Sequence, residues 1–245
     1  MKKLIALLVF TLFGFSSFVK AESLDEVGSD VFEQKVLEVI RKNPEVIENT
    51  MRAYAEKKQK EADEKRLEEM LNNNYEVEFG DSPQQGKKDA KYKLVIFTDF
   101  ECPYCKRGEM TVQALKEKLG DDLLIVQKNY PLPFHKNAKP AALAALAAHK
   151  QGKFFEYSAS LFENQRSLSE DYYIQLAKDL KLDLNKFKKD MKSEELATLL
   201  EKDIEAAKKV DVNSTPNFIL NGIKITGAYP LDYFMKVIEM ADQAK

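Results

Sequence analysis

The sequence predicts an α/β domain in which a helical insertion separates the two halves of one β-sheet, with a helical arm ahead of the domain. Three observations support this fold class. A short apolar strand runs directly into a helix in "KLVIFTDFECPYCKRGEM". Residues 137–210 then have helical periodicity. Finally, Asn221-Gly222 separates two short apolar runs, a pattern that strongly predicts a β-hairpin.

The first residues, "MKKLIALLVFTLFGFSSFVKAES", have the parts of a secretory signal peptide. Lys2 and Lys3 form a positive n-region, residues 4–15 are apolar, and small residues permit cleavage after Ala21. The apolar run is short for a membrane span of about 20 residues, which argues against an uncleaved anchor. We therefore expect residues 1–21 to be a signal peptide and the mature protein to be periplasmic or secreted, where thiols meet oxidising chemistry.

Residues 22–74 form the predicted helical arm. Apolar residues recur at helical spacing, and Pro44 after Asn43 indicates the start of a second helix with Asn43 as its N-cap. The charged stretch "AEKKQKEADEKRLEEM" follows. The arm has one-sided apolar faces and no core of its own. It is therefore either a solvated linker or a segment that pairs between subunits, and the second alternative predicts a homo-oligomer through residues 24–74.

Residues 75–245 form the predicted α/β domain, whose elements follow from apolar periodicity and turn residues. In chain order these are a strand at 75–79, a strand at 94–97, a helix at 103–119, a strand at 123–126, the insertion at about 137–210, a hairpin at 218–225 and a helix at about 231–241. The insertion is predicted to hold three or four helices, one of them capped by Ser169.

The composition limits the possible partners and sites. The net charge is −2 and no clustered basic face is evident, so a nucleic-acid partner is not expected. The chain has only two cysteines, Cys102 and Cys105. This pair can be a metal clip, a structural bridge or a redox centre.

A metal clip and a structural bridge fit these cysteines poorly. A structural zinc site needs four nitrogen or sulfur ligands. The other soft ligands are His135 and His149, whose spacing is not that of a zinc finger. A disulfide that closes so short a loop constrains little of the unfolded chain. We therefore expect neither a metal nor a prosthetic cofactor.

A redox centre fits the local sequence. Cys102 follows a strand and precedes a helix, and Pro103 occupies the first helical position, where its missing N–H costs nothing. The thiolate of Cys102 then faces the positive end of the helix, which lowers its pKa and makes it a nucleophile. Cys105, one turn further on, is placed to attack a mixed disulfide formed at Cys102.

Thr215-Pro216, in "NSTPNFIL", is the second predicted part of the site. Proline cannot lie within a central β-ladder, so its place just ahead of a strand indicates a turn. In a cis turn, the backbone polar groups of Thr215 would face Cys102 and receive an extended substrate segment. An ordinary trans turn is the alternative.

These motifs together resemble the DsbA-like branch of the thioredoxin superfamily, over about residues 75–241. The matching stretches are "FTDFECPYCKR", the insertion with "HKNAKPAALAALAAHKQGKFFEYSASLF", and "VNSTPNFILNGIKITGAY". The resemblance implies a thioredoxin fold and thiol–disulfide exchange with protein substrates. It implies the redox pair Cys102 and Cys105, and a membrane partner that recycles the pair. It also implies that Thr215 and Pro216, in the cis-proline loop, contact substrate together with Pro103 and Tyr104.

The sequence departs from the family pattern in two places. Pro103-Tyr104 between the cysteines is similar to glutaredoxins, whereas a strongly oxidising DsbA has Pro-His. Ile96 occupies the position at which many thioredoxin-like enzymes have a buried acid. We expect Asp99 and Glu101 to be solvated loop acids, although Glu101 could raise the pKa of Cys102 by like-charge repulsion.

The function is therefore predicted to be disulfide exchange, by an oxidase or by an isomerase or reductase. The helical arm resembles the extensions of family members that oligomerise. A chaperone-like binding protein and a copper-handling protein, with Cu(I) on the two thiolates, are the alternatives. We interpret His135 as a loop residue or a helix cap.

Overall fold

The structure is a computed structural model that describes residues 29–243. The predicted signal peptide and its cleavage after Ala21 lie outside the described residues. The chain consists of two compact parts, which meet between Glu61 and Ala62. No helix within residues 29–243 is long and apolar enough to cross a membrane.

The first part contains α1 (Ser29–Lys42) and the beginning of α2 (Pro44–Leu71). As predicted, the second helix starts at Pro44. The side-chain amide of Asn43, which was predicted to cap α2, donates to the carbonyl of Val39 in the preceding turn at 2.8 Å. The large apolar side chains that these helices expose are Val31, Phe32, Val36, Leu37, Val39, Ile40, Val46, Ile47, Met51 and Tyr54.

The second part is built on a five-stranded mixed sheet. Its strands are β1 (Gln84–Gln85), β2 (Tyr92–Thr98), β3 (Leu123–Asn129), β4 (Asn217–Leu220) and β5 (Ile223–Thr226), in the spatial order β1-β3-β2-β4-β5. β2 runs parallel to β3 and antiparallel to β4, with Phe97 opposite Asn217. The carboxyl end of β2 and the amino end of β4 therefore lie side by side, at the same end of the sheet.

The prediction of a strand at residues 75–79 is wrong. This segment forms no strand, and its backbone bonds to the hairpin turn through Tyr75 N–H and Gly222 O, at 2.8 Å. Alternate side chains, those of Tyr75, Val77 and Phe79, pack against the apolar face of the sheet. Side-chain alternation is thus present without a strand ladder, and the edge strand is instead the two-residue β1.

Helices cover both faces of the sheet. One face carries α3 (Pro103–Leu119) and α9 (Leu231–Gln243), which share a core with β2, β3, β4 and β5. The other face carries the end of the helical insertion, whose Ala207 packs with Val95 and Val126. The hairpin forms as predicted, since Asn221 and Gly222 both have positive φ, at 46° and 88°.

The insertion has five helices, not the three or four predicted. They are α4 (Ala138–His149), α5 (Phe154–Glu163), α6 (Glu170–Asp179), α7 (Leu184–Met191) and α8 (Glu194–Lys209). Ser169 caps α6 as predicted, by accepting a hydrogen bond from Tyr172 N. Asp183 and Ser193 cap α7 and α8 in the same way. No glycine or proline marks the starts of α7 and α8, so helical periodicity alone did not predict where one helix ends and the next begins.

Candidate functional site

The cysteines lie where β2 turns into α3. Cys102 is the N-cap residue of α3, with extended backbone angles, and Pro103 occupies the first turn. The Cys102 carbonyl accepts from Cys105 N at 3.0 Å and from Lys106 N at 3.4 Å. The sulfur of Cys102 thus lies at the amino end of the helix, where the positive end of the helix dipole stabilises negative charge.

The surroundings of Cys102 favour its thiolate. Its pKa is lowered to about 5, first by the hydrogen bond from the Cys105 thiol, then by Thr215 and by the backbone N–H groups of Cys105 and Tyr104. Burial opposes this shift but does not reverse it. A cysteine with such a pKa is a thiolate at neutral pH and can attack a disulfide.

Cys105 has the opposite character. Its side chain is buried, and the loss of solvation raises its pKa well above the ordinary value, with the neighbouring Cys102 as the next cause. Both cysteines are free thiols in this structure. The pair thus consists of a sulfur that gives up its proton easily and one that retains it, which is the difference that distinguishes an attacking from a resolving thiol.

The loop before β4 lies across from Cys102. The Thr215–Pro216 peptide bond is cis. The Cys102 Sγ lies 3.5 Å from the Thr215 carbonyl oxygen. Gly108, on α3, allows the helix to approach this loop closely, because a Cβ there would lie 3.2 Å from Pro216 Cγ and 3.1 Å from Phe218 Cζ.

The dipeptide between the cysteines faces solvent. Pro103 is exposed, and Tyr104 is 57% exposed, with the Arg107 guanidinium 5.3 Å from the centre of its ring. The structure therefore brings together all six residues predicted for the site, namely Cys102, Pro103, Tyr104, Cys105, Thr215 and Pro216. The roles assigned to these six residues stay predictions.

Asp99 is not a solvated loop acid, as we had expected, but a buried one. Its carboxylate has no exposed surface and accepts hydrogen bonds from Leu132 N, at 2.7 Å, and from Glu101 N, at 2.7 Å. The ring Nδ1 of His135 lies 2.8 Å from the same carboxylate. His135 is thus a loop residue, as predicted, and its ring is a partner of Asp99.

Glu101 is also tied to the insertion. Its Oε2 accepts from Asn137 N, at the start of α4, at 2.6 Å. The causes named for the shift in the pKa of Cys102 do not include Glu101, so the alternative of a like-charge effect from Glu101 is not supported. Gln165 Nε2, also from the insertion, donates to the Phe100 carbonyl at 2.9 Å and to the Cys102 carbonyl at 2.8 Å. No sequence signal indicated Gln165, since it lies in a short 3₁₀ turn far along the chain.

Within residues 29–243, no group of three or more His, Cys, Asp or Glu side chains is arranged to hold a metal ion. The carboxylates of Asp99 and Glu101 accept hydrogen bonds from backbone N–H groups instead. The arrangement is suited to sulfur chemistry, in which the protein supplies both the nucleophile and the group that displaces the substrate.

A mixed sheet with two cysteines at the start of a helix, beside a cis-proline loop and with a helical insertion, defines the DsbA-like class of thioredoxin folds. A family model described as thioredoxin matches residues 78–240. The chain belongs to this thioredoxin family, and its structural neighbours are DsbA-like thiol–disulfide oxidoreductases of the thioredoxin superfamily. The predicted fold class is confirmed.

Solved structures agree with this assignment. Oxidised BdbD from Bacillus subtilis is similar, with a TM-score of 0.62 and 25% identity over 69% of this chain and 97% of that chain. ScsC from Proteus mirabilis, in a transitional conformation, matches 88% of this chain and 97% of that chain, with a TM-score of 0.58 and 24% identity. At that identity the likeness to ScsC shows the fold.

Curated relatives include the Na(+)/H(+) antiporter NhaA 1 of Mycolicibacterium vanbaalenii. It is 34% identical over 158 residues, which are 63% of this chain. The match spans about a quarter of the length of that antiporter, 26%. The antiporter activity in its name is that of the whole relative.

Proposed function

We propose that the protein exchanges disulfides with protein substrates, with Cys102 as the attacking thiol and Cys105 as the resolving thiol. The observation that carries this proposal is the contrast between the two sulfurs. Cys102 has a pKa lowered to about 5 at the amino end of α3, whereas Cys105 is buried behind it with a raised pKa. The structural neighbours of this chain include thiol–disulfide exchange proteins, which supports the same chemistry here.

The exchange takes place in two displacements. The Cys102 thiolate attacks a substrate disulfide, so that a mixed disulfide forms and one substrate thiolate leaves. Cys105 then attacks Cys102 and releases the second substrate thiol. The extended substrate segment lies along the backbone of Thr215 and Pro216, since the Thr215 carbonyl is within 3.5 Å of the reacting sulfur.

A trapping experiment tests this mechanism. In Cys105→Ser the second displacement cannot occur, so the reduced variant should accumulate mixed disulfides with disulfide-containing proteins, and reductant should release them. Cys102→Ser should form none, because it lacks the attacking sulfur. If Cys105→Ser binds clients without forming covalent adducts, the redox function is wrong and a binding protein is the better interpretation.

The reduction potential decides between an oxidase and an isomerase or reductase. A thiolate with a pKa near 5 stabilises the reduced form more than the thiolate of thioredoxin, whose pKa is about 7. We therefore expect a potential above about −270 mV in a glutathione buffer. A value near about −120 mV indicates a donor of disulfides, and one near about −200 mV indicates disulfide shuffling or reduction.

The site acts outside the cytoplasm, with a signal peptide over residues 1–21 that is cleaved after Ala21, and a membrane redox partner recycles the pair. Sequencing the amino terminus of the protein recovered from a periplasmic extract tests the cleavage. A terminus that begins at Glu22 supports it, and a protein that retains residues 1–21 in the membrane fraction contradicts it.

Residues 24–74 hold several copies of the chain together. The support for this is the apolar surface of α1 and the start of α2, where Phe32 is 55% exposed and Met51 is 62% exposed. Large exposed apolar patches on a soluble protein mark contact surfaces. Several active sites linked in one particle would raise the effective concentration of thiols around one client.

A further inference from the structure

Asp99 is a buried acid that thiol–disulfide exchange, as described above, leaves without a role. It is the first residue after β2 and lies three positions before Cys102. Its carboxylate binds groups from two separate segments, the Glu101 N–H of its own turn and the Leu132 N–H of the loop after β3. The ring of His135 completes its contacts.

The backbone of Asp99 contacts the resolving cysteine. Its N–H donates to Cys105 Sγ, with 3.4 Å between nitrogen and sulfur. Its carbonyl accepts from Cys102 N at 3.2 Å. Asp99 thus bonds through its main chain to both cysteine residues, and its side chain fixes the turn that aims these main-chain groups.

We propose that Asp99 is a positioning residue for the resolving step, acting through its backbone N–H on Cys105. This inference rests on the proposed function. The carboxylate pins residues 99–101 through Glu101 N and anchors them to Leu132 and His135. The Asp99 N–H is therefore held towards Cys105 Sγ, where it stabilises negative charge that develops on this buried sulfur.

The stabilised step is the displacement that closes the enzyme disulfide. The Cys105 thiol attacks Cys102 in the mixed disulfide, so that the Cys102–Cys105 bond forms as the bond to the substrate sulfur breaks. The substrate leaves as a thiol and carries the proton that Cys105 gives up. The substrate sulfur keeps the electron pair of the broken S–S bond, and Cys105 is oxidised from the thiol to the disulfide level. In the reverse direction the same N–H stabilises Cys105 as the leaving group.

A two-phase reaction separates this step from the attack by Cys102. The full chain is reduced and mixed with a nitrobenzoate disulfide, which releases one coloured thiolate on attack by Cys102 and a second on resolution by Cys105. In Asp99→Ala we expect the first phase to slow less than the second, because the Asp99 N–H donates to the sulfur of Cys105 and not to that of Cys102. The second phase should slow by roughly tenfold or more, since a small displacement of a reacting group slows a step strongly.

Asp99→Asn keeps the size of the side chain, so it still tests the inference if Asp99→Ala does not fold. Its carbonyl oxygen can still accept from Glu101 N, but its amide cannot accept from Leu132 N, so the second phase should slow by less than in Asp99→Ala. Asp121→Asn is the matched control, because this acid is exposed and pairs with Lys87, away from the cysteines. Both of its phases should equal those of the wild type.

The outcomes separate the inference from the function on which it rests. If the wild type releases only one coloured thiolate, the proposed function fails. If the wild type releases two and both Asp99 variants resolve at its rate, the inference fails alone. If attack and resolution slow equally in Asp99→Asn, the acid has only a structural role, and the inference fails as well.

Discussion

The sulfur of Cys102 and the carbonyl oxygen of Thr215 lie 3.5 Å apart, although 113 positions separate the two residues in the chain. The sheet topology creates this proximity, because β2 and β4 are antiparallel neighbours and Phe97 is opposite Asn217. The carboxyl end of β2 and the amino end of β4 thus lie next to each other. A substrate segment that paired with the backbone beside Pro216, as proposed above, would lie against the Cys102 sulfur.

The first prediction concerns the thiolate of Cys102. In the wild type its ionisation, followed by thiolate absorbance, should have a midpoint near pH 5, since its pKa is lowered to about 5. The rate of alkylation should rise through this pH range and then level off. Cys105→Ala should move the midpoint to higher pH, because the Cys105 thiol supplies the largest stabilising hydrogen bond.

Cys105→Ser is the matched control for this titration. A hydroxyl can donate to the Cys102 thiolate as the thiol does, so this variant should titrate closer to the wild type than Cys105→Ala. Equal midpoints in all three proteins would show that the Cys105 thiol does not lower the pKa of Cys102.

The second prediction concerns the stability of the reduced protein. The pKa of Cys102 is lower in the folded chain than in the unfolded chain, so the unfolded state binds more protons between about pH 5 and the pKa of an ordinary thiol. The free energy of unfolding should therefore rise with pH across this window, and the contribution should vanish below about pH 5. Urea unfolding at several pH values measures it.

Cys102→Ala isolates this contribution. The variant lacks the ionising group, so its stability should rise less between pH 5 and pH 8 than that of the reduced wild type. Parallel curves for the two proteins would contradict the lowered pKa of Cys102.

The third prediction concerns the buried ion pair between Lys128 on β3 and Asp203 on α8. Lys128 Nζ lies 3.1 Å from Asp203 Oδ1, and both side chains are almost fully buried, with Ser82 bonded to each. Asp203→Ala leaves the lysine charge buried without its partner, so the free energy of unfolding should fall by about 3–5 kcal/mol. Chemical denaturation of the two proteins measures the difference.

Glu201→Ala is the control for Asp203→Ala, since both acids lie on α8. Glu201 pairs with Lys139 at 3.7 Å, but both side chains are more than half exposed. Its loss should change the free energy of unfolding by no more than about 0.5 kcal/mol. A similar effect of both substitutions would mean that burial does not decide the strength of these pairs.

The sequence was most informative where the signal was local. The turn at Asn221-Gly222, the proline after Cys102 and the cap at Ser169 each act within a few residues, and each element was predicted correctly. Asp99 and Glu101 were misjudged because their partners, Leu132 and Asn137, lie 33 and 36 positions further on. Those contacts depend on where the insertion folds back, which no local pattern expresses.

Residues 75–79 show the same limit in the strand prediction. Alternation of apolar and polar residues reports which side chains face a core, and Tyr75, Val77 and Phe79 do face one. It does not report whether the backbone has a neighbouring strand with which to bond. Here the ladder position at the edge is taken by β1, opposite Ile125 and Val126.

The last prediction concerns the apolar surface of the arm. If copies of the chain associate through it, light scattering should show more than one chain in each particle, and Phe32→Asp with Ile40→Asp should reduce this to one. Each of these side chains can contribute about 1.5–3 kcal/mol when it is buried, so two charges at these positions should prevent assembly. Lys35→Ala with Arg41→Ala, on the same helix, should leave the assembly intact. A wild type that is a single chain would identify the arm as a solvated linker, whereas disulfide exchange by Cys102 and Cys105 would be unaffected.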